Sequence, residues 1–288
     1  MTIELETLLN WPFEDIVQTY TARDSMFYAL SVGLGSDPVD RDQLRFVYEK
    51  GLEAFPTMAL VLGYPGAWAA DLRSGIDVSK LVFGEQQVTW HRPLASAATI
   101  RARERIVNVV DKGAGRGALV YVQRQIVEDG SEEPLVTLDG TLFCRGDGGF
   151  GGPSGPVREP WRMPESDPDW TVDMPTLPQA ALLYRLNADT NPLHADPEVA
   201  LAAGFPRPIL HGLCTFAVAA HAVLKTCGEL IPQRLRSLRA RFTAPVFPGE
   251  TLSVELWQDG DSVSFRARVR ERGVIVLDGG HALIAPKS

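Results

Sequence analysis

A carboxylate, a carboxamide and an imidazole crowd one short stretch, A-D-T-N-P-L-H, as Asp189, Asn191 and His194. Pro192 interrupts it, so Asp189 and His194 lie on a loop or short turn and not on one face of a regular helix. On such a turn the two side chains can converge on one small object, and a carboxylate beside an imidazole is suited to proton transfer. A Pro/Gly-rich turn follows (Gly204, Pro206, Pro208). His211-Gly212 then opens a segment in which Leu213, Phe216, Ala217, Ala220 and Leu224 recur at helical spacing. The pattern predicts a helix with a buried face and a glycine at its N-terminus, directly after the reactive loop. Taken singly, Asp189 reads as a helix cap and His194 as a hydrogen-bonded loop histidine; their combination on one broken stretch reverses that reading.

The elements that must position this stretch fall into two similar halves. Thr21 is placed to cap a short helix carrying Met26, Phe27, Leu30 and Leu34, and a buried helix is expected from about Pro56 to the Gly63/Pro65/Gly66 stop. From Phe83 to Cys144 the texture is that of long antiparallel strands separated by tight turns at Lys112–Gly115 and Asp129–Gly130. Gly113, Gly115 and Gly117 sit between two strand-like runs, so they read as a hairpin and not as a phosphate-binding loop. Residues 146–175 collect glycines and prolines without an apolar period, as a linker does, while Trp161 and Trp170 suggest that it lies against protein. Strands return with Leu252, Val254 and Leu256 alternating, then Val263, Phe265, Ala267 and Val269. The organisation is therefore 1–145, a linker over 146–175, and 176–288. The shared element order, the matching proline turns at 91–100 and 243–252, and a parallel between F-G-E-Q (83–86) and H-G-L-C (211–214) point to a duplication. Only the second half carries the reactive run.

With 288 residues, 45% hydrophobic and 22% charged, the composition is that of a globular protein of up to two domains. A net charge of −8 argues against nucleic acid as a partner. No apolar run reaches ~18 residues and the N-terminus is acidic, so no membrane span or signal peptide is expected. Cys144, Cys214 and Cys227, with no CxxC spacing, read as buried apolar residues of a reducing compartment. Five histidines without a close pair in sequence give a metal centre little support. His221 reads as structural, and His91 and His281 receive no role.

The run D-x-N-P-L-H, followed by A-G-F and P-I-L-H-G-L, resembles the signature of MaoC-like dehydratases, specifically the type 2 (R-specific) enoyl-CoA hydratases. The resemblance extends to YTARDSMFYALSVG at 20–33, FVYEKG at 46–51, FGEQ at 83–86, VDKGAG at 110–115, GGFGG at 148–152 and RFTAPVFPGETL at 241–252, nearly the whole chain. It implies an α+β double hot-dog fold, each half a long central helix wrapped by a curved antiparallel sheet, with the two sheets joined side by side.

The implied reaction is reversible addition of water to a trans-2-enoyl-CoA, giving the (3R)-3-hydroxyacyl-CoA, with no metal or redox cofactor. Such a reaction needs a water held for attack at C3, a proton for C2 and stabilisation of the enolate oxygen. By resemblance Asp189 and His194 are the catalytic pair, Asn191 fixes the loop or the water, and Gly212 offers its N–H to the thioester oxygen; His211 beside it is grouped with the substrate-binding residues, although an imidazole at the helix start also reads as one that simply positions the loop. Gly84 and Phe242 match positions lining the substrate site, although Phe83 stands where the family has histidine. Lys112 matches a position contacting the CoA portion, and Glu49 a carboxylate supporting the site from the first half. Taken alone, Lys112 is a solvated hairpin lysine. The resemblance further implies a homodimer, and the C-terminal Ala285-Pro286-Lys287-Ser288 differs from a Ser-Lys-Leu signal, so a cytoplasmic placement is expected. The same residues would serve a dehydratase acting on an acyl-carrier protein, and loss of the motif would leave a non-catalytic acyl-CoA-binding subunit. A first half without catalytic residues leaves room for a medium or long acyl tail or a steroid side chain.

Overall fold

The computed structural model describes residues 2–287. The first half contains α1 (Leu5–Leu9), β1 (Ile16–Tyr20), α2 (Ala22–Ser31), α3 (Arg41–Leu44), β2 (Leu81–Trp90), β3 (Ala98–Asp111), β4 (Ala118–Glu128) and β5 (Pro134–Cys144). The second contains β6 (Trp170–Pro175), α4 (Ala180–Tyr184), α5 (Pro197–Ala202), α6 (Gly212–Cys227), β7 (Leu235–Phe242), β8 (Thr251–Asp259), β9 (Ser262–Val269) and β10 (Val274–Ile284). All strands join one antiparallel sheet in the order β1-β3-β4-β5-β2-β7-β10-β9-β8-β6. Read inward from either edge, the two halves have the same strand order. The duplication inferred from element order is thus present strand for strand, and the fold is two hot-dog units joined side by side. They meet where β2 pairs with β7, from Glu85 opposite Arg241 to Thr89 opposite Ser237.

In each half an outer strand, β1 or β6, leads into a short helix, α2 or α4. Thr21 accepts the Asp24 N–H while Asp24 accepts the Thr21 N–H, a reciprocal cap that starts α2 where the sequence predicts. α6 is the long central element, and its run from Cys214 to Leu224 is buried throughout. A helix apolar on nearly every side belongs inside a core, and here it lies in the curve of β6–β10, with contacts to β6, β7, β8, β9 and β10.

Three expectations are corrected. The segment from Pro56 is buried, but it forms only a 3-10 turn, Pro56–Leu60, and not a second long helix. The run is cut short at Gly63, whose positive φ of 57° ends the turn and whose missing side chain lets the backbone press on Ala102. The carbonyls that a continuing helix would satisfy are taken instead by Arg124, which donates to Leu62 O at 2.8 Å and Leu60 O at 3.5 Å. Second, the linker ends before β6, because Trp170–Pro175 pairs with β8 over six residues. The rest of the linker does lie on protein: the Trp161 ring stacks 3.8 Å from His281 and its Nε1–H donates to Ser264 Oγ. Third, F-G-E-Q and H-G-L-C are not equivalent, since the first lies in β2, whose counterpart is β7, and the second heads α6. Among the described residues no helix is long and apolar enough to cross a membrane.

Arg124 also pairs with Glu104 at 3.0 Å, with side chains only 10% and 7% exposed. Burial pushes the Glu104 carboxyl above its usual range, and Arg124 opposes that shift. Arg124→Ala would strand a buried carboxylate and free two carbonyls, and we expect a loss of about 3–5 kcal/mol in urea unfolding. The paired apolar variant Arg124→Met, Glu104→Leu should recover most of it.

Candidate active site

The loop between α4 and α5 is shaped by its own side chains. Asp189 Oδ1 accepts the Asn191 N–H at 3.1 Å, and Asn191 Oδ1 accepts the Leu193 N–H at 3.0 Å. Asn191 thereby caps a single 3-10 turn, Pro192–His194, with proline at the first position, where its missing N–H costs nothing. This chain of turns brings His194 inward, 8% exposed, while Asp189 stays half-buried. Asn191 itself is exposed and committed to the turn, so it shapes the loop.

His194 Nδ1 lies 2.9 Å from the Ile209 carbonyl, so Nδ1 carries the proton and Nε2 keeps a free lone pair. Ile209 is in turn steadied by its neighbour, because Leu210 N donates to Val246 O at 2.7 Å. Burial lowers the His194 pKa below its usual range, against the opposing pull of the Ile209 hydrogen bond and the Asp189 charge. The imidazole is therefore neutral near pH 7 and ready to accept a proton.

His211 completes the cluster. One atom each from the Asp189 carboxylate, His194 and His211 lie within 4.8 Å of one another, and the two imidazoles are stacked at 3.7 Å with 26° between their planes. The histidines that are not paired in sequence are thus paired in space, because the turn through Gly204 and Pro208 returns the chain over the loop. Stacked rings aim their in-plane lone pairs side by side and not at a common point, and His211 Nε2 already donates to the Asp189 backbone carbonyl at 3.2 Å. The arrangement suits a small hydrogen-bonded molecule better than a tetrahedral cation.

Behind the cluster, α6 begins at Gly212 with no side-chain cap, so the first-turn N–H groups have no helical partner. They carry the positive end of a helix of about 24 Å. Gly212 is packed against Phe242: a Cβ there would sit 3.3 Å from two atoms of the ring. Phe242 in turn meets Phe83 edge to face at 5.8 Å. Gly212, Phe242 and the F-G-E-Q segment therefore form one wall, and the residue that departs from the family pattern, Phe83, is part of it.

The other predicted residues lie further out. Gly84 sits at an irregularity in the β2–β5 pairing, and a Cβ there would lie 3.8 Å from Phe143 Cβ. Lys112 is exposed in the β3–β4 hairpin, its Nζ 4.8 Å above the same Phe143 ring. That hairpin is locked to the G-G-F-G-G segment by Asp111, which accepts the Gly113, Gly149 and Gly151 N–H groups. Two of the quoted motifs are thus one structure, and Lys112 stands exposed on it. Glu49 is exposed, and no hydrogen bond or ion pair among the described residues ties it to the Asp189 and His194 loop. Residue types did not reveal Ile209, whose contribution is a carbonyl, or Tyr64, whose hydroxyl is pushed up to about 12 by burial and then by the charge of Asp189. Tyr64 brings the first half close to the reactive loop.

Two family models match the chain in tandem: the MFE-2 hydratase 2 N-terminal domain over residues 18–146 and the MaoC like domain over 161–279. The chain is similar to the peroxisomal enoyl-CoA hydratase 2 of Arabidopsis thaliana, 37% identical over 95% of this chain and 93% of that one. It is also 35% identical to a probable enoyl-CoA hydratase 2 of Dictyostelium discoideum over 99% of this chain and 98% of that one. A MaoC-like dehydratase from Phytophthora Capsici superposes with a TM-score of 0.87 at 32% identity, covering 99% of both chains. Fold, site and relatives together define the MaoC-like class. Within it, the chain belongs to the enoyl-CoA hydratase 2 family.

Burial lowers the pKa of all three histidines around this core: His194, His211 to about 3, and His221, on α6, to about 4. Both His221 ring nitrogens are buried without a partner. Groups whose pKa falls on folding take up protons in the unfolded chain first as pH drops below about 6.5. Their stabilisation is complete above that pH and is lost as pH falls toward the folded values, by up to about 1.4 kcal/mol per pH unit for each histidine. Urea melts from pH 7.5 to 4.5 should show this decline, and His221→Leu should flatten it.

Proposed function

We propose that the protein adds water reversibly across the double bond of a trans-2-enoyl-CoA to give the (3R)-3-hydroxyacyl-CoA, and that Asp189 and His194 hold the water. The observation that carries this reading is the convergence of the Asp189 carboxylate and the neutral His194 imidazole ahead of the uncapped N-terminus of α6. With Nδ1 committed to Ile209, His194 presents Nε2 to the water, and the free oxygen of Asp189 grips it from the other side. The water oxygen attacks C3 as the pair takes up its proton, and a proton is delivered to C2. One water supplies both the hydroxyl and the proton, so the pair ends as it began. The charge that develops on the thioester oxygen meets the Gly212 N–H and the positive end of α6. The chemistry calls for no metal or redox cofactor.

The exposed ammonium of Lys112 would pair with a phosphate of CoA, and its exposure supports that reading. A first half that repeats the strand order without the reactive run is read as shaping the pocket for a medium or long acyl tail or a steroid side chain. Three free, buried cysteines support a reducing compartment such as the cytoplasm, although the Arabidopsis relative is named as peroxisomal. The proposed homodimer has an apolar face available in Leu30 of α2 and in Leu182 and Leu186 at and beside α4.

Purified protein should bleach the conjugated enoyl-thioester absorbance of crotonyl-CoA or a longer analogue. Asp189→Asn and His194→Gln should each lower kcat by ~10²-fold or more at unchanged folding; full activity in either variant would refute the assignment. In a panel of C4 to C16 enoyl-CoAs the best kcat/KM is expected above C4, and a maximum at C4 would contradict the tail reading.

A further inference from the structure

His211 is the most constrained polar residue near the site, and the proposed reaction gives it no bond to make or break. It is 1% exposed. Its Nε2–H donates to the backbone carbonyl of Asp189 at 3.2 Å, across a separation of 22 residues. One face of its ring lies against His194 at 3.7 Å, and the Tyr184 ring packs on it at 5.0 Å. Its remaining nitrogen, Nδ1, is buried with no partner, as is the Tyr184 hydroxyl. His211 is also the residue immediately before Gly212, so its backbone sets the start of α6.

We propose that His211 is a positioning residue that fixes both members of the catalytic pair at once: its Nε2–H pins the backbone of Asp189, and its ring face sets the plane of His194. The inference rests on the hydratase reading for its kinetic consequences, but its geometric content stands apart from that reading. Without the Nε2–H, the one hydrogen bond left to Asp189 among the described residues is that donated by the Asn191 N–H to its carboxylate, a contact within the loop that moves with it. With that bond, the loop is referenced to the head of α6, the same element that presents the Gly212 N–H. Water site and oxyanion site thus share one anchor. His211 stays uncharged over the working range, because burial and then the neighbouring His194 depress its pKa to about 3. It therefore supplies a fixed donor and does not exchange protons with the pair.

Two substitutions separate donor from packing. His211→Phe keeps an aromatic ring between His194 and Tyr184 but has no N–H, whereas His211→Gln loses the ring but can place an amide N–H near the position of Nε2. If His211 acts through its donor, Phe lowers kcat by ~10- to 100-fold, the scale of a misplacement of about 1 Å, with KM little changed, and Gln retains most of kcat. Amide hydrogen exchange supplies a readout independent of turnover: the Asn191 and Leu193 amides should exchange faster in the Phe variant and remain protected in the Gln variant. The opposite ranking, with Phe active and Gln inactive, would make His211 a packing residue and overturn the proposal. So would a loss confined to KM, or unchanged exchange in the Phe variant. If wild-type protein hydrates no enoyl-CoA, the proposed function fails, and the exchange comparison still decides whether His211 anchors the loop.

Discussion

The hydrogen bond from His194 Nδ1–H to the Ile209 carbonyl is the contact on which the rest of the site depends. It selects one tautomer of a buried imidazole and therefore decides which nitrogen keeps a free lone pair. It also ties the loop at 189–194 to the segment that enters α6, and that segment is tied to the sheet side through Leu210 and Val246. A histidine in the same loop without this acceptor could flip or change tautomer, and its base would no longer be aimed. The Pro/Gly-rich turn between the two motifs exists, in this view, to bring a carbonyl back to an imidazole.

The duplication explains both the symmetry of the sheet and the asymmetry of the chemistry. Ten strands in mirrored order form one sheet joined at β2 and β7, and each half packs its own helix or turn against its strands. In the second half that element is α6, whose N-terminal N–H groups form the proposed oxyanion site. In the first half the equivalent space holds a 3-10 turn whose end carbonyls are satisfied by Arg124, itself neutralised by Glu104. An internal ion pair costs desolvation, visible in the raised Glu104 carboxyl, yet it allows the first half to do without a second central helix. Tyr64, just past this turn, is where that half feels the charge of Asp189.

Much of this was legible in the residues. Thr21 announces its helix because a cap is a local device, which the structure completes with Asp24, and the hairpin at Lys112–Gly115 is set by glycines that need positive φ. The Asp189 to His194 loop was recognisable because its turn chemistry and its reactive groups share six residues. What could not be read depended on contacts distant in sequence. The turn at Pro56 has the apolar composition of a helix, and the carbonyls at its end are taken by an arginine from β4, distant in sequence. β6 has the alternation of a strand only over a few residues at the end of a proline-rich run, so composition hid it. The stacking of His194 on His211 follows from the fold of the intervening turn, and a backbone carbonyl such as that of Ile209 has no signature in sequence.

The proposed reaction requires one water held jointly by Asp189 and His194. It is tested most directly by comparing kcat for enoyl-CoA hydration in Asp189→Asn, His194→Gln and the double variant. Groups that act as a unit on one water are not additive, so the double variant should be no slower than the slower single one. A double variant slowed by the product of the two single losses would show that the residues act independently and would contradict the shared water site.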